Sequence, residues 1–192
     1  MQTMRRLLWF ALAFPALCYP ADISLQVTRH GDSFEVEAAA EFEAEVTLAW
    51  EVLTDYDRLS EFIPGMHSSR IVSRDKRKVI VDQSGDAKLL FFSFPMQVRL
   101  EIEEYPYERI FSRAIEGNFK EMSGAYTLEA RSRRLLLHYT GSLTPGFSIP
   151  PLVGTMLVRN TMEKRFGAMV DEIVRRQRLR DLPAVTPSDS VS

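Results

Sequence analysis

Cysteine is nearly absent from this chain: Cys18 is the only one in 192 residues. It sits in an N-terminal leader-like stretch, so cleavage after it leaves no thiol. Disulfides, zinc–thiolate sites and a cysteine nucleophile are then all excluded. Histidine is scarce too. His30, His67 and His138 lack helical i, i+4 spacing and any accompanying carboxylate string, so no metal site is expected. His138 alternates with Leu137 and Tyr139, which places it on the outer face of a strand. No G-x-S-x-G elbow, G-x-G-x-x-G loop or phosphate loop occurs, and Ser123-Gly124 has no flanking base. No cofactor is expected. Charge is not one-sided either, with 24 basic and 26 acidic residues and a formal net charge of −2. Nucleic-acid binding needs a basic face, and this composition argues against one.

Long hydrophobic runs are also missing. Leu7–Leu17 (LLWFALAFPAL) is apolar over eleven residues, against the roughly 20 of a spanning helix. Arg5 and Arg6 precede it, as in a secretory signal peptide. Small residues at Ala16 and Cys18 favour cleavage after Cys18, with Ala21 the later alternative. Leu17 is too large for a lipoprotein cleavage before Cys18. An uncleaved anchor is the competing reading. The chain is thus expected to be exported, to the periplasm, with residues 1–18 removed. Residues 22–178 form one domain, long enough for a real core. Residues 179–192, rich in proline and serine, read as a disordered tail.

What is present is alternation. Ile23–Arg29 and Ser33–Glu45 alternate apolar and polar residues around a His30-Gly31-Asp32 turn, giving a hairpin. Thr47 is placed to cap a helix over Leu48–Tyr56, and a short second helix, Asp57–Phe62, ends at Pro64-Gly65. Strands follow at Arg70–Arg74, Val79–Gln83, Leu89–Glu104, Ile110–Glu116, Met122–Ala130 and Leu135–Leu143, with a turn expected at Gly85-Asp86. Such spacing predicts an antiparallel meander. One long helix closes the chain, from Pro151 to Arg178. At about 100° per residue its apolar face carries Met162, Phe166, Met169, Val170, Ile173 and Val174. Glu172, Lys164, Asp171 and Arg175 point away. The class is α+β: the last helix must cover one face of an antiparallel sheet.

Ala49–Val72 (AWEVLTDYDRLSEFIPGMHSSRIV), Phe94–Ile102 (FPMQVRLEI), Glu108–Ala130 and the final helix resemble, in order and spacing, the START-like polyketide cyclase (SRPBCC) superfamily. The branch most similar is that of the coenzyme Q-binding, cyclase/dehydrase-type bacterial proteins. The resemblance implies a helix-grip fold, a curved antiparallel sheet wrapped around the C-terminal helix with an apolar cavity between. It also implies binding of a hydrophobic small molecule: lipid, quinone, sterol or polyketide. It does not imply a reaction, because members include carriers and cyclases.

Within that frame, Phe62, Ile63 and Met66 cluster after the second helix. Phe94, Met96 and Val98 lie on the inward face of a central strand, and Tyr126 and Tyr139 offer hydroxyls within an apolar wall. Alignment with the family turns Ser112 and Ala114 inward, and Glu116 with them. From the long helix come Met156, Met162 and Phe166. Arg159 and Glu163, four residues apart, fall in the same arc by wheel geometry. Either they form a polar floor or mouth that orients a ligand, or that half of the helix overhangs the sheet and both reach water. All fifteen, leaving Glu116 aside, are candidate ligand-binding residues; catalytic residues are not assigned. The basic tips Asp75–Lys78 and Arg131–Arg134 are places for transient contact with a membrane surface. The expected function is that of an exported carrier for a hydrophobic small molecule. A cyclase or dehydratase acting in the same cavity, or a non-catalytic domain of envelope biogenesis, are the alternatives.

Overall fold

The computed structural model describes residues 22–89, 91–132, 134–149 and 151–182; the expected signal peptide and residues 183–192 lie outside them. Eight strands form one antiparallel sheet: β1 (Asp22–His30), β2 (Ser33–Glu43), β3 (Met66–Asp75), β4 (Lys78–Leu89), β5 (Phe92–Tyr105), β6 (Arg109–Gly117), β7 (Phe119–Arg131) and β8 (Arg134–Pro145). Their order is β1-β2-β8-β7-β6-β5-β4-β3, so the sheet is unclosed, with β1 and β3 at its edges. Between β2 and β3 lie α1 (Val46–Leu53), a 3₁₀ turn (Tyr56–Arg58) and α2 (Leu59–Phe62); α3 (Pro151–Asp181) ends the chain. This is the helix-grip arrangement.

Alternation explains β2, whose alanines and glutamates also suit a helix. Phe34, Val36, Ala38, Ala40 and Phe42 are all buried, and they lie on one face only at period two. The β2–β8 register sets Ala38 opposite Tyr139 and Ala40 opposite Leu137, which identifies the inward row of β8. His138 pairs with Ala39 on the other face, as its alternation predicts.

Several boundaries differ from the sequence expectation, among them β3, which starts at Met66 rather than Arg70. The β4–β5 turn is not at Gly85-Asp86: β4 continues to Leu89, which pairs with Phe92. Gly85 is in the strand because the Gly65 backbone crosses it, and Asp86 N donates to the Gly65 carbonyl at 2.7 Å. Thr47 does not cap α1, which starts at Val46 after Glu45 with no side-chain cap. The backbone N–H of Glu45 is instead taken by Gln177 Oε1 at 2.9 Å, so α3 fixes where α1 begins. Finally, α3 runs three residues past Arg178, to Asp181.

Glu172 is a further correction. It does not point to water but is 8% exposed. Arg175 and Arg176 both donate to it, at 2.7–2.8 Å, and Arg176 also donates to Asp55 at 3.0 and 3.1 Å. This network pins the C-terminal half of α3 to the turn after α1. The bond from Arg175, then that from Arg176, lowers the Glu172 pKa to about 2. A depressed carboxylate stabilises the fold above its unfolded pKa and loses that contribution as pH falls toward the folded value. Thermal melts of the wild type should therefore drop steadily between about pH 5 and pH 2. Glu172→Gln should melt lower at pH 7 and lose most of that slope. An unchanged slope would remove Glu172 from the account.

Candidate functional site

The sheet has two unlike ends. At one lie the tips Asp75–Lys78, Tyr105–Arg109 and Arg131–Arg134, and α1 packs there. At the other lie the β1–β2 turn at Gly31, the β4–β5 tip at Phe91, Asn118 and the start of α3. Near the first end the space between helix and sheet is filled. Val79, Val81, Leu100, Ile102, Ile110, Leu128, Leu135 and Leu137 meet Phe166, Met169, Val170 and Ile173, all buried.

Toward the second end the helix parts from the sheet's centre. Its close backbone approaches are to β1, β2 and β4, the flanks of the curved sheet. Val158 packs on Phe34 and Val36 of β2, and Leu157 on Ala87 and Leu89 of β4. Central strands β5 to β8 are bridged between these contacts. Their inward residues here, Met96, Ala114, Met122, Tyr126, Tyr139 and Leu143, stay half-buried, as do Thr161, Met162 and Arg165 facing them from α3. Side chains on both sides are thus left partly accessible between the N-terminal half of α3 and the middle of the sheet, the space called the cleft below.

Its polar groups are few. Tyr126 and Tyr139 are neighbours on β7 and β8, with ring centroids 4.9 Å apart, and Tyr126 lies parallel to Phe166 at 6.5 Å. Burial pushes both phenols up, Tyr139 to about 12, so both are neutral donors near pH 7. Yet both rings keep accessible surface, as side chains facing an internal space do. Neither hydroxyl has a hydrogen-bond partner among the described residues. Thr161 Oγ1 is buried and also without a partner. Ser112 donates to the Gly124 carbonyl at 3.3 Å. Arg165 is the cleft's cation. It donates from Nε to Pro64 O (3.4 Å) and from Nη2 to Gly65 O (3.3 Å) and Asp86 O (3.2 Å). Desolvation lowers its pKa, opposed first by the Asp86 carboxylate and then by the two phenols.

Two glycines make room for Tyr139. Gly124 and Gly141 face each other across β7 and β8, and the phenol lies along both. A Cβ on Gly124 would fall 2.7 Å from the Tyr139 hydroxyl. Gly124→Ala should leave the fold intact, within about 1 kcal/mol, because the clash is with a movable side-chain end. It should nonetheless displace that hydroxyl and weaken binding of N-phenyl-1-naphthylamine, an apolar fluorescent probe, severalfold. Unchanged probe affinity would place Tyr139 outside the site.

The sequence-derived residues divide accordingly. Phe94 and Met96 pack with Ile149 and Val153 beside Leu157. Ser112, Ala114, Tyr126, Tyr139 and Met162 border the cleft, and Val98 and Phe166 are buried beneath it. Ile63 is buried and Met66 half-buried at the β3 flank, while Phe62 turns toward Arg176, whose guanidinium is 5.8 Å from its ring. Three residues are elsewhere. Met156 is 57% exposed, and Arg159 and Glu163 are exposed and make no ion pair among the described residues, the second of the two alternatives posed for them. Glu116 lies on the outer face, paired with Arg99 at 3.0 Å.

The reason is a drift of the buried arc along α3. The C-terminal half buries Phe166, Met169, Val170 and Ile173. Carried back at about 100° per residue, that face reaches Arg159 and Glu163. The N-terminal half instead buries Gly154, Leu157 and Val158, roughly a third of a turn away, because the twisted sheet wraps the helix. On that rotated face lie Thr161 and Arg165, which the sequence reading missed. The i, i+4 row Gly154–Val158 and Leu157–Thr161–Arg165 was the available signal.

Recesses are also found elsewhere. One of about 420 Å³ at the open end is lined by Phe94, Phe119 and Phe147 with Asn118 and Lys120. Another of about 420 Å³, on the sheet's outer face, is lined by Glu35, Glu37, Ser123, Thr140 and Ser142 beside Phe111. The outer one offers mostly polar or small side chains; the phenylalanine-lined one shares Phe94 with the cleft wall.

Residues 42–174 match the family model described as polyketide cyclase/dehydrase and lipid transport. Among solved structures, the ZhuI aromatase/cyclase from Streptomyces sp. R1128 aligns with a TM-score of 0.65 at 17% identity, covering 80% of this chain and 98% of its own. A STAR-related lipid transfer protein from Xanthomonas axonopodis aligns at 0.63 and 16%, covering 84% and 97%. A START superfamily protein from Mycobacterium smegmatis aligns at 0.63 and 15%, covering 74% and 98%. No curated protein matches the sequence.

Proposed function

Because this chain belongs to the polyketide cyclase/dehydrase and lipid-transport family, we propose that it is an exported carrier holding a hydrophobic small molecule between α3 and the sheet. The observation that carries this is the bridged cleft, apolar along Met96, Met122 and Met162 and furnished with unpartnered hydroxyls at one depth. An apolar concavity with a few convergent polar groups is the ordinary form of a small-molecule site. Tyr126, Tyr139 and Arg165 are donors able to orient a bound oxygen, as carriage requires. Export rests on the leader-like segment at residues 1–18.

A carrier of this kind meets a bilayer. The basic tips Asp75–Lys78 and Arg131–Arg134 lie at the filled end. Phe91, 99% exposed at the β4–β5 tip, and Met156 lie at the open end, beside Lys88. We place membrane contact there, with Phe91 inserting among the headgroups.

Protein purified from its own host should release a lipid- or quinone-like molecule on organic extraction, seen beforehand as a mass increment in native mass spectrometry. Preparations that are consistently empty and do not take up N-phenyl-1-naphthylamine would count decisively against carriage. Co-flotation with anionic vesicles should fall severalfold in Phe91→Asp, and unaltered flotation would move the contact elsewhere.

A further inference from the structure

Arg165 is a half-buried, desolvated cation that no carboxylate touches among the described residues. Where arginines of this fold are enclosed they are paired: Arg176, between Glu172 and Asp55, is the clearest case. Arg165 makes no ion pair among the described residues, and its contacts are three backbone carbonyls. Asp86 is the nearest acid and its charge partly offsets that of Arg165 without touching it; its Oδ2 is held by Lys88 at 2.9 Å and Ser93 at 3.2 Å, and its Oδ1 lies 3.4 Å from His67 Nε2. The phenols facing the same space are neutral. A desolvated positive charge is costly unless something opposes it. Besides Ser112, whose hydroxyl is engaged with the Gly124 carbonyl, the polar side chains named there, Tyr126, Tyr139 and Thr161, each offer a hydrogen to donate.

We propose that the ligand is an amphipathic anion, a long-chain carboxylate, whose head binds Arg165 between α3 and the sheet while its chain lies against Met96, Met122 and Met162. The proposal rests on the carrier reading and sharpens it. The carbonyls of Pro64, Gly65 and Asp86 hold the guanidinium through Nε and Nη2, so its orientation is set before the ligand arrives. Nη1 has no acceptor among the described residues and is left for the carboxylate. Charge-assisted bonds of this kind are the strong ones, and the planar fork of arginine suits a carboxylate better than a lone carbonyl. The tyrosine and threonine hydroxyls supply further donors to the same head.

A headgroup series tests this with the full mature chain. Dodecanoate, methyl dodecanoate and dodecanol share a chain and differ in charge. Displacement of N-phenyl-1-naphthylamine should require about tenfold less dodecanoate than ester or alcohol, or better. That ratio should collapse toward unity in Arg165→Gln and persist in Arg165→Lys. It should also shrink as pH falls through the carboxylate range. If Arg165→Gln does not fold, the wild-type ratio and its pH dependence decide alone. Equal displacement by acid and ester, or a ratio indifferent to Arg165→Gln, overturns the anionic head and leaves carriage standing. Failure of the neutral probe to bind at all overturns both.

Discussion

Replacing Gly85 with alanine should cost about 2–4 kcal/mol of folding stability, the combined expense of a backbone overlap and a broken buried hydrogen bond. The reason is proximity. A Cβ at Gly85 would fall on the Gly65 carbonyl oxygen, with Met66 Cα close behind. Backbone cannot swing aside as a side chain does, so β3 and β4 would have to separate. The bond from Asp86 N to Gly65 O, at 2.7 Å, spans the same gap. So does Arg165, which donates to both the Gly65 and Asp86 carbonyls. The variant should thus melt roughly 5–15 °C lower and, where still folded, lose its preference for an acid over an ester. Gly31→Ala is the contrast. That glycine has φ +63° but nothing within 4 Å of its Cβ position, so it should cost only about 1 kcal/mol. Equal melting temperatures for the two variants would contradict the crossing of the chain at Gly65 and Gly85.

The second large effect separates the halves of α3. Phe166 is fully buried at the floor of the cleft and stacks on Tyr126. Phe166→Ala should destabilise by about 3–5 kcal/mol, as large-to-small changes in a closed core do. Met162, one turn earlier, is only half-buried and borders open space. Met162→Ala should cost about 1 kcal/mol, since there is little packing to lose, and it should alter which chain lengths bind. Chemical denaturation of both variants gives the comparison. Equal costs would mean that the N-terminal half is core after all.

Much of the fold is legible in the sequence because it is periodic. Period two in β2 and β5 identifies strands and their inward rows, and the order of motifs identifies the helix that covers them. Contacts between segments far apart in sequence are what it hides. Gly85-Asp86 has turn composition, yet Gly85 is in a strand because the chain at Gly65 passes over it. Thr47 has the chemistry of a cap, yet α1 begins just after Glu45, whose N–H donates to Gln177, more than a hundred residues later. Glu172 reads as a surface residue, and only the two arginines beside it and Asp55 beyond them make its burial tolerable. The site shows the same division. Tyr126 and Tyr139 were readable as rings within the apolar wall, and Ser112 and Ala114 as inward residues only through alignment with the family. Arg165 was not, because the buried stripe of α3 rotates along its length and the better-formed half projects onto Arg159 and Glu163 instead. A helix crossing a twisted sheet has no single buried face, and the end with the sharper pattern misleads about the other.

Methionines on both sides of the boundary allow the central claim to be tested directly. With methyl-labelled methionine, N-phenyl-1-naphthylamine should shift the NMR signals of Met96, Met122 and Met162, which border the cleft, and leave Met169, packed in the closed half, nearly in place. That result is predicted if a hydrophobic molecule lodges between the N-terminal half of α3 and the centre of the sheet. Shifts absent from those three methyls while the probe is bound would contradict it.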